Sequence, residues 1–217
     1  MPDKKRRGVF KWIIMPLLVV FLVSFRLVEE IGFDRHPADR FKVAAINDGD
    51  SMELLGGDRL RLLSVDTPEK GDLLYDRACR FLSELSLGKQ GRIEFAGRRR
   101  DKYGRLLGYL YIDSIFVNQA IIEEGLGYLY LFSDTEPDRP ETARLLAAQR
   151  RAMKNKVGLW AIERTPEDYY LAGQNSFRFH RPGCPLVGDY RPDRHRMFKT
   201  REEALYEGLS PCRKCQP

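Results

Sequence analysis

Residues 61–69 (RLLSVDTPE) place two carboxylates and a guanidinium close together in the chain. Asp66 ends a predicted strand, and Pro68 favours an extended or turn geometry in the residue before it. Glu69 is therefore expected to lie beside the end of the strand that carries Asp66. A second acidic strand end, at Asp50, could complete a cluster of carboxylate oxygens. Such a cluster suits Ca²⁺ or Mg²⁺ better than Zn²⁺, because it offers no nitrogen or sulfur ligand.

Two arginines would complement these acids. Arg61 begins the same stretch, and Arg105 ends the turn DKYGR at residues 101–105. Each guanidinium presents a planar fork to a phosphate. A bound cation, a carboxylate that orients or deprotonates water, and two guanidinium groups are what cleavage of a phosphodiester needs. Since Asp, Gly and Arg are also common in surface turns and exposed ion pairs, the prediction depends on their joint occurrence in this order.

The elements that must position these residues begin at Phe41. Five stretches are short and rich in β-formers or alternating in polarity, which predicts strands: FKVAAIND, SMELL, RLRLLSVD, GRIEFAG and RLLGYLYID. Apolar residues at three- and four-residue steps predict a helix over residues 72–89, a short helix VNQAIIEEGL and a longer helix TARLLAAQRRAMKNKVGLW. This order predicts an α+β fold: a five-stranded OB-fold β-barrel with three helices, over residues 41–163.

These stretches resemble the staphylococcal nuclease (thermonuclease) family over about residues 41–161. The resemblance is carried by AINDGDSMEL, RLRLLSVDTPE, DKYGR, VNQAIIEEGL and VGLW. The family has an OB-fold barrel with three helices, and it cleaves DNA and RNA with Ca²⁺ to leave 3′-phosphate products. The resemblance therefore implies a Ca²⁺-dependent, sugar-non-specific nuclease. Two alternatives stay open: a nucleic-acid-binding OB module without activity, and a phosphodiesterase on small diesters.

The resemblance also implies roles for individual residues. Asp50 and Asp66, with the main-chain carbonyl of Thr67, would ligate calcium, and Glu69 would activate or orient water. The other matched positions are Arg61 and Arg105 on the phosphate, Lys102 and Tyr103 at the terminal phosphate and base of the substrate, and Asp48 as an acid beside the metal ligands.

Two features depart from the family pattern. The segment at residues 70–75 is shorter than the family's loop after the glutamate, and that loop shapes substrate access. Tyr128, Tyr130 and Phe132 do not align cleanly with the family's base-stacking tyrosine. Any of them could stack on a base or pack in the core.

Residues 177–217 form a predicted small module with one histidine and three cysteines in two close pairs: His180 and Cys184, then Cys212 and Cys215. This spacing predicts a structural Zn²⁺ site. The module resembles the Ada-type zinc module of DNA repair proteins, which uses four cysteines, so His195 or Asp193 could compete with His180. A disulfide is the alternative outside the cytoplasm. Cys79 is expected to be a small buried residue of the first helix.

The amino terminus carries four consecutive Lys and Arg residues and an apolar run at residues 12–25. This predicts that residues 1–30 are an uncleaved single-pass membrane anchor, with the N-terminus cytoplasmic and the catalytic domain outside. Secretion after cleavage is the alternative. Residues 31–40 and 164–176 are predicted linkers.

The composition of the chain limits its function class. Of the 217 residues, 43% are hydrophobic and 31% charged, which excludes a polytopic membrane protein and a wholly disordered chain. The net charge of +6 is concentrated at the two ends. Binding of DNA or RNA by the central domain must therefore depend on specific residues. No obligate protein partner is predicted.

Overall fold

The computed structural model describes residues 41–132 and 139–217. The predicted anchor at residues 1–30 and the linker at 31–40 lie outside the described residues. Within these two described ranges, no helix is both long and apolar enough to cross a membrane.

Five strands form a closed barrel, as the sequence predicts. They are β1 (Phe41–Asp48), β2 (Ser51–Leu54), β3 (Arg59–Leu62), β5 (Gln90–Glu94) and β6 (Leu106–Ile112). The sheet order is β3-β2-β1-β5-β6, and a parallel pairing of β3 with β6 closes it. Large apolar side chains fill the interior, among them Met52, Leu60 and Tyr109, which are almost fully buried.

Among the described residues, three helices accompany the barrel, in agreement with the prediction. They are α1 (Tyr75–Ser86), α2 (Val117–Glu123) and α3 (Pro140–Asn155), which a short 3₁₀ helix (Gly158–Ala161) follows. Ala78 and Leu82 are the buried apolar residues of α1, whereas Cys79 is only partly buried. Its predicted core position was therefore only partly correct.

The single strand predicted over RLRLLSVD was wrong. Ser64 adopts a φ of 60°, a left-handed conformation that an extended strand cannot contain. The stretch therefore divides into β3 and a short β4 (Val65–Asp66), which pairs with β8 (Tyr128–Leu129) instead of the barrel. A further two-residue strand, β7 (Ile115–Phe116), pairs with β6.

Asn118, at the start of α2, holds the turn after β3 in place. Its amide nitrogen donates to the carbonyl of Leu63 at 2.8 Å, and its amide oxygen accepts from the nitrogen of Leu110 at 2.9 Å. Asn118 is fully buried, so these bonds satisfy polar groups that cannot reach water. The residue thus fixes the backbone that leads from Arg61 to Asp66.

The C-terminal region forms a second small sheet with one helix. Its elements are β9 (Tyr170–Gly173), β10 (Arg178–His180), β11 (His195–Phe198), α4 (Arg201–Tyr206) and β12 (Ser210–Pro211), with strand order β11-β9-β10-β12. A capping box formed by Thr200 and Glu203 opens α4. Residues 164–176, which we predicted to be a linker, contain strand β9. This stretch forms a strand because its buried residues pair with β10 and β11.

This C-terminal sheet packs directly on the barrel helices. The buried side chain of Gln149 accepts from the nitrogen of Leu129 at 2.8 Å and donates to the carbonyl of Leu205 at 2.7 Å. All described residues accordingly belong to one compact unit.

Candidate active site

Arg61 lies on β3 and joins two carboxylates. Its Nη1 atom is 2.8 Å from Asp50 Oδ2, and its Nη2 atom is 3.2 Å from Asp66 Oδ1. Nη1 also donates to the carbonyls of Leu62 at 3.1 Å and Val65 at 2.7 Å. Only 7% of Arg61 is exposed, so these bonds hold a buried guanidinium in one orientation.

Asp50 is fixed by the loop that carries Thr67. Its Oδ2 atom accepts from the nitrogen of Thr67 at 3.1 Å. At Gly49, a Cβ atom would lie 2.7 Å from Thr67 Oγ1, so only glycine permits this close approach. Burial raises the pKa of Asp50 to about 7, and the positive charge of Arg61 opposes that rise. Asp48, the predicted neighbouring acid, accepts from the nitrogen of Asp50 at 3.1 Å.

Glu69 lies on the loop beyond Asp66, and its side chain is 65% exposed. Its backbone nitrogen donates to Asp72 Oδ2 at 3.1 Å, which stabilises the turn. The Glu69 carboxylate is 3.2 Å from Nη1 of Arg213, and Arg213 also pairs with Asp66. One guanidinium, that of Arg213, thus contacts both Glu69 and Asp66.

Arg105 is held by the turn that precedes β6. Its Nε atom donates to Asp101 Oδ2 at 2.8 Å, and its backbone nitrogen donates to Asp101 Oδ1 at 3.0 Å. Arg105 directly precedes β6, whose residue Leu107 is the register partner of Arg61 on β3. Arg105 pairs with Asp101 and not with the acids that Arg61 contacts.

Lys102 and Tyr103 lie at the exposed tip of the same turn. The Lys102 Nζ atom is 5.0 Å from the centre of the Tyr103 ring, and the Arg105 guanidinium carbon is 5.6 Å from it. Tyr103 is 65% exposed, which leaves most of its ring accessible to solvent. Such a ring beside two cations can contact a base and its phosphate.

The aromatic residues after Gly125 have different environments. Tyr128 accepts a hydrogen bond from Arg201 at 3.0 Å and meets Trp160 edge-on, so it belongs to the contact with the C-terminal region. The guanidinium carbon of Arg178 lies 3.4 Å from the centre of the Tyr130 ring. Phe132 packs edge-on against Tyr130 at 5.1 Å.

A cleft of about 470 Å³ lies beside the acidic cluster. The barrel contributes Asp66, Thr67 and Glu69 to its wall, and the C-terminal region contributes Pro211 and Arg213. Sequence analysis missed Arg213, which lies 147 residues from Asp66 in the chain. Only the fold brings the two together, and the cysteines that flank Arg213 were the one signal that its turn is constrained.

The C-terminal histidine and cysteines also come together. The ligand atoms of His180, Cys184, Cys212 and Cys215 all lie within 4.8 Å of one another. The first three residues are buried, and all the cysteines are free thiols. The competing candidates face elsewhere, since His195 accepts from the nitrogen of Arg191 at 3.0 Å and Asp193 is exposed beside arginines.

Comparison with known proteins points to one family. The family model described as staphylococcal nuclease homologue matches residues 59–162. This segment contains Arg61, Asp66, Glu69 and Arg105. An uncharacterized endonuclease of Escherichia coli O157:H7 is 31% identical over 124 residues, which cover 55% of this chain and 76% of the relative.

Two further relatives agree with this match. A micrococcal nuclease of Shigella flexneri is 25% identical over 142 residues, which cover 60% of this chain and 78% of that protein. An uncharacterized endonuclease of Haemophilus influenzae is 26% identical over 149 residues, which cover 67% of this chain and 78% of that protein. The matched family model and the 31% identity to the Escherichia coli endonuclease show that the chain belongs to the staphylococcal nuclease homologue family.

Proposed function

We propose that this protein is a Ca²⁺-dependent, sugar-non-specific nuclease that hydrolyses phosphodiester bonds of DNA and RNA. The observation that carries the proposal is the pairing of one buried guanidinium, that of Arg61, with the carboxylates of Asp50 and Asp66. The nuclease names of the relatives support it. The family resemblance supports the further proposal that the products carry 3′-phosphate ends.

The acidic cluster fits a calcium ion. Asp50 and Asp66 offer carboxylate oxygens that converge on Arg61, and the Thr67 carbonyl would complete the protein ligands. This all-oxygen donor set is the one that Ca²⁺ prefers. Asp50 is 5% exposed, and a buried carboxylate is stabilised by positive charge. When bound, calcium would supply positive charge to the scissile phosphate and to the attacking water.

The chain's own side chains would do the remaining work. Glu69 is exposed on its loop, so its carboxylate can reach a water molecule and orient or deprotonate it. Arg61 and Arg105 would donate hydrogen bonds to the phosphate oxygens, where negative charge develops. Lys102 and Tyr103 would contact the neighbouring phosphate and base.

The direct test is digestion of plasmid DNA and of RNA by the purified full-length protein, with Ca²⁺ and with EDTA. We expect cleavage with Ca²⁺, its loss with EDTA, and 3′-phosphate ends on the products. Absence of EDTA-sensitive cleavage, with retained nucleic-acid binding, would favour a non-catalytic binding module. Preference for a small chromogenic diester that DNA does not compete away would favour the small-diester alternative.

We also propose that residues 177–217 form an Ada-type module with a structural Zn²⁺ ion. The support is the convergence of one histidine and three cysteines on a space that one ion could fill. A module of about 40 residues has little core of its own, so a metal would stabilise it.

The zinc site predicts a specific loss of metal on mutation. Cys212→Ser should lower the zinc content from one ion per chain to about zero, because a tetrahedral site that loses a thiolate binds zinc much more weakly. Cys79→Ser, on α1 and outside the cluster, is the matched control and should keep its zinc. Metal content by mass spectrometry would decide the matter, and a Cys212→Ser protein that retains zinc would exclude this ligand set.

We further propose that residues 1–30 anchor the protein in the cell membrane, with the catalytic domain outside the cytoplasm. The support is the cationic cluster followed by the apolar run in the sequence. The protein should remain in the membrane fraction after a high-salt wash and be digested by protease added to intact cells. Recovery of a shortened chain from the medium would instead indicate cleavage and secretion.

A further inference from the structure

We propose that Arg213, which the C-terminal module supplies, is a positioning residue of the nuclease site that holds the carboxylates of Glu69 and Asp66. The C-terminal module is then a working part of the active site. This inference rests on the proposed nuclease function and adds to it a residue from outside the segment that the family model matches.

The Arg213 guanidinium bridges the two acids. Its Nη1 atom is 3.2 Å from Glu69 Oε1, and its Nε atom is 3.4 Å from Asp66 Oδ2. Its Nη2 atom pairs with Asp66 Oδ1. In the described part of the chain, Arg213 is the cation that pairs with the Glu69 side chain. Without it, that exposed carboxylate would keep only the backbone of its loop to define its position.

Arg213 is itself held in place by its surroundings. It lies in the turn between Cys212 and Cys215, where the nitrogen of Gln216 donates to the carbonyl of Cys212 at 2.8 Å. Its guanidinium carbon is 5.5 Å from the centre of the Tyr130 ring. The position of Arg213 over the site therefore depends on the fold of the module.

The packing of the module on the barrel completes this connection. Arg201 donates to the carbonyl of Pro217 at 2.8 Å and to the Tyr128 hydroxyl at 3.0 Å. Arg201 is buried, so these bonds fix the C-terminal end against β8. β8 pairs with β4, the strand that carries Asp66. The module and the acidic cluster thus share one rigid support.

The charge of Arg213 should have two opposite effects. By holding Glu69, it keeps the water-activating carboxylate in one position and favours turnover. By adding positive charge beside Asp66, it repels a divalent cation and weakens calcium binding. Removal of Arg213 should therefore lower kcat and tighten calcium binding together, a combination that general destabilisation of the fold would not produce.

The test compares Arg213→Ala, Arg213→Lys and the control Lys214→Ala in the full-length protein. The control removes an exposed cation from the same turn. We expect Arg213→Ala to lower kcat on DNA about tenfold at saturating Ca²⁺, and to tighten calcium binding a few-fold in calorimetry without nucleic acid. Arg213→Lys should recover part of kcat, because it keeps the charge but not the planar fork. Lys214→Ala should match the wild type.

Each other outcome has a distinct meaning. An active wild type with unchanged kcat and calcium affinity in Arg213→Ala would overturn this inference and leave the nuclease proposal intact. Weaker calcium binding together with a lower melting temperature would assign Arg213 a structural role and also overturn it. A wild type that neither binds calcium nor cleaves DNA would overturn both proposals.

Discussion

Arg61→Ala should lower the rate of DNA cleavage by about three orders of magnitude or more. Removal of a single hydrogen-bond donor to the transition-state charge of an enzyme typically lowers kcat by about 10²–10³-fold. Arg61 also organises the acids that would hold calcium. Its loss leaves Asp50 and Asp66 close together in a site where Asp50 is 5% exposed. Initial rates on plasmid DNA at saturating Ca²⁺ measure the effect.

The same substitution should also destabilise the fold, by about 3–5 kcal/mol, since it breaks a buried ion pair and leaves its partners uncompensated. Added Ca²⁺ should stabilise the variant more than the wild type, because the ion would replace the lost charge. Thermal unfolding with and without Ca²⁺ tests this. Arg59→Ala, an exposed position on the same strand, is the control for both measurements. A folded Arg61→Ala protein with wild-type rates would exclude the proposed role.

The barrel could be predicted because its signals are local. Alternating polarity marked the strands, and Gly-containing turns separated them. The division at Ser64 was missed, because a left-handed serine has no sequence signature when apolar residues flank it. That division matters for the site, since it turns Asp66 out of the barrel sheet and toward β8.

The acidic cluster could be predicted only in part. Asp50 and Asp66 were expected to lie close together because each ends a strand, and in the structure both carboxylates contact Arg61. Arg61 was expected to bind the substrate phosphate, and its pairing with these acids was not predicted. The partner of Arg105 was not expected: Asp101, four residues earlier, holds its guanidinium. Arg105 was predicted to bind the substrate phosphate, and the DKYGR motif alone does not show that Asp101 would hold its guanidinium.

The contribution of the C-terminal module could not be predicted at all. The spacing of its histidine and cysteines predicted a site for one zinc ion, but nothing in the sequence relates that site to the barrel. The contact depends on the side chains of Gln149, Arg201 and Tyr128, which form hydrogen bonds between helix α4 of the C-terminal region and the α3 and β8 elements of the nuclease domain. Such long-range pairs leave no periodic pattern, and the linker prediction over residues 164–176 separated the two regions.

Glu69→Gln should lower kcat by about 10²–10³ while KM, DNA affinity and the melting temperature change little. The Glu69 side chain is 65% exposed, so an isosteric amide there costs almost no packing. The amide cannot accept a proton from water, and it pairs more weakly with Arg213 than the carboxylate does. Because the calcium ligands remain, the variant should still bind calcium in calorimetry.

The control for this substitution is Glu84→Gln, an exposed glutamate on α1. This control removes the same charge from the same domain. Its kcat, and the salt dependence of its DNA cleavage, should stay near those of the wild type. Equal losses in the two variants would mean that the net charge of the domain, and not the position of Glu69, sets the rate. A large fall for Glu69→Gln alone, with calcium binding retained, would separate water activation from metal binding at this site.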